Sequence, residues 1–337
     1  VRWFSSYLSG RTQRTKVNGQ LSTALPRFVG VPQCSCLGPI LFLIYTADLK
    51  DHLSHCSLHS YADDSQLLIS FKPSETAKAV RYVNTDLECV RKWSDDHGLL
   101  LNSNKCSVLL VDRLSSTGQS VNSCVERCVF VDGKPLMSSN ILKILGVTID
   151  SQLDFSNHVK TICKTVTVRL KALHRLSTIL PEASKLEIVR STIFPVIHYA
   201  LPAFACCLTQ ENLMILTRLQ NRSLRFVYNL KKFDHISEYR LNAKVLSIMG
   251  LSDLQTVNLV HKTLETGRPA YLRKKLVFRH EINVRSTRQD SLLHLPKTRL
   301  ETGKKGFSYF GPKKYNALPP TLKSYSFRKF KESVGCV

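Results

Sequence analysis

The chain has no apolar run of the about 20 residues that a bilayer-spanning helix takes. The two longest, Ile40–Tyr45 and roughly Val196–Leu208, fall short, and the second contains His198 and Pro202. The chain opens on Val1 and not on methionine. No N-terminal stretch follows the charged, apolar and small-residue order of a signal peptide. The expectation is a soluble protein of the nucleus or cytoplasm, neither secreted nor held in a membrane. A disulfide framework is missing too: the 11 cysteines are odd in number and irregularly spaced, which suits reduced thiols. Acidic residues are scarce, with 25 Asp+Glu against 48 Lys+Arg. No internal repeat is present.

The positive charge is unevenly placed. Residues 1–150 carry 16 Lys+Arg against 13 Asp+Glu, whereas residues 151–337 carry 32 against 12. Such an excess on one half points to a polyanionic partner, nucleic acid before an anionic membrane, since no amphipathic helix joins a strongly apolar face to a Lys/Arg-rich one. Two groups have metal-like spacing. Cys124-x3-Cys128 lacks a second pair at a suitable distance, and His52, His55, Cys56 and His59 lie between an apolar helix and a strand. Zinc is not expected at either.

Periodicity predicts an α+β first half. Leu37, Ile40, Leu41, Ile44 and Tyr45 share one face of a helix over 37–53, with Pro39 in its first turn. Leu58–Ala62 and Ser65–Phe71 read as a hairpin turning at Asp63-Asp64. Ser74 offers a cap for a helix carrying Val80, Val83, Leu87 and Val90, which Gly98 ends. A turn at Asn102–Asn104, a strand over Lys105–Val111, two strands flanking Asp132-Gly133 and another over Ile141–Ile149 complete a mainly antiparallel sheet. Beyond Asp150 the period becomes helical. Val159, Ile162, Val166, Leu170 and Leu173 mark a helix capped by Ser156, and others fall at 183–199 (bent at Pro195) and 211–229. Residues 262–337 hold 18 Lys+Arg against 5 acids, interleaved with Tyr271, Phe307, Tyr309, Phe310, Tyr315, Tyr325, Phe327 and Phe330. That mixture suits phosphate contact with base stacking, or a solvated basic face over buried aromatics.

Adjacent carboxylates in a basic chain raise a chemical question. Asp-Asp in a hairpin is ordinarily only a turn. A rigid, exposed turn also presents oxygen ligands to a hard divalent ion, and Mg2+ takes one or two carboxylates plus substrate phosphates. Two such ions can clamp the attacking and leaving oxygens of a phosphoryl transfer.

Here the sequence resembles a family. Tyr61-Ala62-Asp63-Asp64 resembles the Y-A-D-D box of reverse transcriptases. Gly30-Val31-Pro32-Gln33-Cys34-Ser35-Cys36-Leu37-Gly38-Pro39 resembles their upstream G-V-P-Q-G-S-x-L-G-P box. The order, with a helix between, is that of reverse transcriptases of non-LTR (LINE-type) retrotransposons of the jockey sort. Trp3-Phe4-x-x-Tyr7-Leu8-Ser9-Gly10-Arg11-Thr12-Gln13-Arg14, Leu101-Asn102-x-x-Lys105 and Leu145-Gly146-Val147 are similar to further segments of these enzymes. So are Leu219-Gln220-Asn221, Gly267-Arg268-Pro269-Ala270-Tyr271-Leu272 and Tyr315-Asn316-Ala317-Leu318-Pro319.

The resemblance implies a right-hand polymerase: a partial palm over 1–150, the start of a thumb over 151–180, a helical region over 181–261 and a basic C-terminal region over 262–337. It implies Asp63 and Asp64 as catalytic, metal-binding carboxylates, with Pro32, Gln33, Ser35 and Tyr61 lining template and nucleotide. Lys105 stands where a lysine aids protonation of the leaving pyrophosphate, beside the plainer reading of a solvated lysine. Arg11, Arg14 and Lys16 would touch backbone phosphates, or form a plain basic loop. Mg2+, an RNA template, a DNA primer and dNTP follow as cofactor and partners.

Two departures shape the expectation. The family's third aspartate, in an A-F-D-like motif ahead of the G-V-P-Q box, has no counterpart, and neither do the fingers. Asp48 and Asp51 are the acids between Val1 and Tyr61, and both sit at the end of the helix after the box. Cys34 replaces a glycine of the pattern. The expectation is an RNA-directed DNA polymerase fragment, with an incomplete two-metal site and no activity by itself. The alternative is a non-catalytic RNA- or DNA-binding protein derived from a retroelement.

Overall fold

Short stretches set between turn-forming residues pair with strands close by in the chain, and among the described residues every strand pair is antiparallel. The computed structural model describes residues 2–32, 34–111, 128–282 and 289–335. Two compact units divide the chain near residue 140.

The first unit is α+β. Helix α1 (Arg2–Leu8) leads to β1 (Arg11–Gln13), which pairs with β4 (Leu25–Arg27) around the smaller ladder of β2 (Lys16–Val17) and β3 (Gln20–Leu21). Helix α2 (Gly38–Tyr45) precedes β5 (Ser57–Tyr61) and β6 (Asp64–Leu68), and α3 (Thr76–Asp96) follows. Strands β7 (Phe130–Val131) and β8 (Lys134–Pro135) flank Asp132 and Gly133, both at positive φ as a tight two-residue hairpin requires. The face of α3 carrying Val80, Val83 and Leu87 packs on Val129, Val131 and Leu136. Gly98, at φ +62°, ends α3 as the sequence predicts.

Several expectations change. Among the described residues each sheet has two strands, where the sequence suggested a wider antiparallel sheet. The helix expected over 37–53 stops at Tyr45 and resumes as a 3-10 turn at Leu49–His52. Its supposed core face is open: Ile40, Ile44 and Tyr45 are exposed, and Leu37 and Leu41 are half-buried. Ser74 lies inside a 3-10 turn, Pro73–Glu75, and does not cap α3. Lys105–Val111 forms no strand; Lys105 closes a 3-10 turn and Val108 alone bridges Ser138.

The second unit begins with β9 (Ile141–Ile144) and β10 (Val147–Asp150), a hairpin where the sequence suggested one strand. Leu145 and Gly146 turn the chain at φ 46° and 83°, and the Tyr199 hydroxyl donates to the Leu145 carbonyl at 2.7 Å. The carboxylate of Asp150 accepts the N–H groups of Gln152, Asp154 and Phe155, which aims the chain into α4 (Ser156–His174). Phe155, not Ser156, holds the N-cap position, and Asp154 accepts the N–H of Ser156 at 2.7 Å.

Helix α5 (Glu182–Ile188) runs through a π turn at Val189–Ile193 into α6 (Phe194–His198). Pro195 has no N–H to give to the preceding turn, and the wide turn falls just before it, where the sequence suggested an irregularity in the helix. With Leu201–Phe204, this makes Glu182–Cys207 long and apolar enough for a membrane span by length and composition, longer than the run read from the sequence. Its Val189, Ile193, Ile197, Leu201 and Phe204 are instead buried against α4 and α7 (Gln210–Val227) in the unit's main core. Each such side chain contributes roughly 1.5–3 kcal/mol. Thr209 caps α7 by accepting the Asn212 N–H.

Helix α8 (Ile248–Thr266) joins this core to a smaller one, where Val257, Val260, Leu276, Leu293, Tyr315 and Phe330 meet. Gly311 of α9 (Phe307–Asn316) lies so close that an added Cβ would stand 3.1 Å from Val260 Cγ2. Helix α10 (Phe327–Gly335) closes the unit. The interleaved aromatics of the basic region therefore serve packing. Tyr315 and Phe330 are buried, Phe307, Tyr309, Phe310, Tyr325 and Phe327 are half-buried, and Tyr271 is exposed. Two of the rings belong to the core, and the half-buried and exposed ones keep a face at the basic surface.

The C-terminal segments that carry the resemblance are clamps as well. Gln220 is fully buried and donates to the Leu246 carbonyl, while Asn221 accepts from Arg240 at 2.5 Å. Asn316 grips the backbone of Leu293 twice, at 2.9 and 2.8 Å.

Candidate active site on the Tyr61–Asp64 hairpin

The acidic turn is one residue out of its expected register. Tyr61 pairs with Asp64, so Ala62 and Asp63 form the turn and Asp64 opens β6. Ala62 takes the left-handed conformation at φ 53°. The outcome is two carboxylates at an exposed tip, one on the turn and one on the strand, beside the exposed ring of Tyr61. The Ser60 and Ser65 hydroxyls lie 3.0 Å apart across the ladder just behind them. Among the described residues no hydrogen bond or ion pair occupies either carboxylate, and no third His, Cys, Asp or Glu groups with them to form a metal cluster.

The upstream box forms a loop running into α2. Pro32 and Ser35 are half-buried, and the Ser35 hydroxyl accepts the Gly38 N–H at 3.1 Å. Gly38 has to be small: a Cβ there would meet Ser35 Oγ at 3.0 Å and the Pro32 carbonyl at 3.5 Å. Gln33 lies outside the described residues. Cys34 sits at φ 59°, a conformation suited to the glycine of the family pattern. Its departure is thus a backbone matter in this structure.

The remaining candidates scatter around the unit. Lys105 is exposed at the end of its 3-10 turn, with no bond to the hairpin. Arg11, Arg14 and Lys16 are exposed on and beside β1 and β2, and the Arg11 guanidinium covers the Tyr7 ring at 4.9 Å. Asp48 is employed elsewhere: Trp93 Nε1 donates to it at 3.1 Å, and His97 Nε2 lies 3.6 Å away. The histidine-cysteine group is also engaged. His55 stacks on Tyr82 at 3.8 Å, and burial beside Asp86 pushes the Cys56 thiol up to about 12. Cys124 lies outside the described residues, and none of the nine described cysteines forms a disulfide.

Sequence reasoning missed Asp86. It sits on the apolar face of α3 between Val83 and Leu87, fully buried, and accepts the N–H groups of Ser54, His55 and Cys56. Its burial opposes ionisation, but these donors outweigh it and hold the carboxyl below its ordinary range. The available signal was a carboxylate interrupting a helical apolar stripe.

Residues 1–149 match the family described as Reverse transcriptase (RNA-dependent DNA polymerase). This stretch belongs to the reverse transcriptase family. The chain is also similar to the "RNA-directed DNA polymerase from mobile element jockey" of Drosophila melanogaster, 27% identical over 232 residues, covering 65% of this chain and 24% of that protein. To the "Probable RNA-directed DNA polymerase from transposon BS" of the same fly it is 28% identical, over 66% of this chain and 25% of the relative. The jockey polymerase of Drosophila funebris is 23% identical over 72% of this chain and 26% of the relative. The chain thus spans about a quarter of the length of these relatives. Within the reverse transcriptase segment, the hairpin tip, the Gly30–Pro39 loop and α3 all lie in the matched region.

Proposed function

We propose that the reverse transcriptase segment supplies the two-aspartate turn and the template-facing loop of an RNA-directed DNA polymerase of a non-LTR element. One observation carries this reading: among the described residues, Asp63 and Asp64 stand unneutralised at an exposed hairpin tip inside the matched region. Their oxygens fit a hard divalent ion, and Mg2+ is the ion this chemistry uses with nucleotide phosphates. Bound there, it would neutralise phosphate charge during transfer.

Asp63 and Asp64 would hold the metal, and Tyr61, Pro32, Ser35 and Gln33 would line the template and the incoming dNTP. Lys105 would give a proton to the departing pyrophosphate. Arg11, Arg14 and Lys16 would take backbone phosphates of template or primer. In this reading residues 1–150 are a partial palm, 151–180 begin a thumb, 181–261 are a helical region and 262–337 a basic C-terminal region.

By itself the 337-residue chain is expected to be inactive, because two-metal catalysis holds ions on both sides of the reacting phosphate and one carboxylate pair leaves that clamp open. Two measurements test the proposal. Mn2+ should bind the chain, and Asp63→Asn or Asp64→Asn should remove that binding; a chain that takes up no Mn2+ contradicts the assignment. Primer extension on poly(rA) with Mg2+ or Mn2+ should give no product. Extension that disappears on Asp63→Asn would show the site to be complete.

A second reading, nucleic-acid binding without catalysis, has its own support. Among the described residues no third metal-ligating side chain joins the pair, while the second unit is strongly basic. RNA binding by a chain that neither binds Mn2+ nor extends a primer would select it.

A further inference from the structure

The acidic hairpin has little to hold it. Among the described residues, strands β5 and β6 pair only with each other, and most of their residues are exposed. A two-stranded hairpin of this kind is marginal alone in water. Its tip can be a defined site only if something grips its base.

That grip comes from one face of α3. The Asp86 carboxylate accepts the Ser54 N–H at 3.1 Å through Oδ1, and the His55 and Cys56 N–H groups at 3.0 and 2.6 Å through Oδ2. Three consecutive amides converge on one fully buried anion, with Ser57, the first residue of β5, immediately following. One turn earlier on the same helix face, the Tyr82 ring lies flat against His55, with centroids 3.8 Å apart and planes at 10°. Residues four apart on a helix project side by side, so Tyr82 and Asp86 act as two jaws on 54–56. No Lys, Arg or His side chain pairs with Asp86 among the described residues; its charge is met by backbone dipoles, as in an anion-binding nest.

We infer that Asp86 is a positioning residue for the Asp63-Asp64 turn: α3 sets the place of the acidic tip by clamping the chain at the root of β5. The inference rests on the metal-binding reading of Asp63 and Asp64 for its functional meaning, but its geometric content stands separately. Charge and shape are both required of the residue. In Asp86→Asn the side chain keeps its size and one accepting oxygen, but its NH2 group faces an amide N–H where an acceptor stood.

The experiment compares amide hydrogen exchange and Mn2+ binding in the full chain and its Asp86→Asn variant. Amides across Ser57–Leu68 should exchange about tenfold faster in the variant, while the amides of α4 and α7 in the second unit keep their protection. Mn2+ affinity should fall by about tenfold with the stoichiometry unchanged, which loss of stability in a still-folded protein would not produce. If Asp86→Asn leaves the first unit unfolded, Asp86→Glu, which keeps the anion and displaces it by one methylene, is read the same way. Faster exchange confined to residues 54–56, with the hairpin and Mn2+ affinity unchanged, overturns the inference. A parent chain that binds no Mn2+ overturns the metal reading alone, and the exchange data then judge the clamp.

Discussion

His261 and Phe330 lie face to face, their ring centroids 3.9 Å apart and their planes within 10°. Both nitrogens of His261 are also engaged, with the Tyr315 hydroxyl and the Tyr325 carbonyl each at 2.9 Å. The contact ties α10 to α8, so the basic C-terminal region is part of the second unit's core and not a tail laid over it.

This changes how the proposed affinity for nucleic acid should be tested. Ending the chain at His261 would strip the cover from Val257 and Val260, and would measure unfolding. Substituting exposed cations leaves the core intact. Lys274, Lys275, Lys297 and Arg299 are all exposed, and their joint replacement by Gln should weaken RNA binding at low salt. The salt dependence should become shallower by roughly 0.7 per lost phosphate contact for single strands. An unaltered slope would mean that these four side chains touch no phosphate.

Cys34→Gly should stabilise the first unit. Cys34 holds a left-handed conformation that costs an L-residue roughly 1–2 kcal/mol, partly offset by the greater entropy glycine loses on folding. The expected gain is about 0.5–1 kcal/mol, read as a higher midpoint in urea by tryptophan fluorescence. Both tryptophans, Trp3 and Trp93, lie in this unit, so the signal is specific to it. On the proposed reading polymerase activity should not appear with the substitution, since one carboxylate pair would leave the two-metal clamp open. Nucleotide incorporation by the Cys34→Gly chain would refute that second half.

Asp63→Asn should separate function from stability. The side chain is exposed and adjacent to a like charge, so its neutralisation should change stability by no more than about 0.5 kcal/mol in either direction. Mn2+ binding should nevertheless vanish. A large loss of stability would mean that the turn carboxylate has a structural partner.

The two units should respond to acid at different pH. Burial lowers His198 to about 4 and pushes His158 below its ordinary value as well. The unfolded chain protonates these rings first, so their contribution is fully present above about 6.5 and is lost as pH falls toward 4. For His198 the loss is on the order of 2 kcal/mol, discounted for its partial exposure. Asp86 is also depressed, but from the carboxylate range, so its contribution holds above about 4 and disappears only below. Urea midpoints followed by far-UV ellipticity, which the helical second unit dominates, should decline between pH 6.5 and 4.5. Midpoints followed by tryptophan fluorescence should hold until about pH 4. Coincident declines would contradict the assignment of these groups to separate units.

Much of the architecture was legible in local chemistry. The apolar faces of α3, α4 and α7 recur at helical spacing, Gly98 and Gly133 sit where left-handed backbone is needed, and Tyr61–Asp64 and Gly30–Pro39 carry the family resemblance in order. Those signals depend on one residue's conformational preference or on a period of a few residues, and a linear reading contains both. What folding decided involves partners far apart in the chain. The hairpin register turned on which residue accepted a positive φ, and Ala62 did so although Asp63-Asp64 has the stronger turn chemistry. Tyr315 and Phe330 of the basic region became core because α8 and α10 bring them together around His261, across some sixty residues of chain. Asp86 interrupts an apolar stripe, and its role emerges only where three amides thirty residues upstream close on it. A buried carboxylate is tolerable only where donors converge on it, and where donors converge is a property of the folded chain alone.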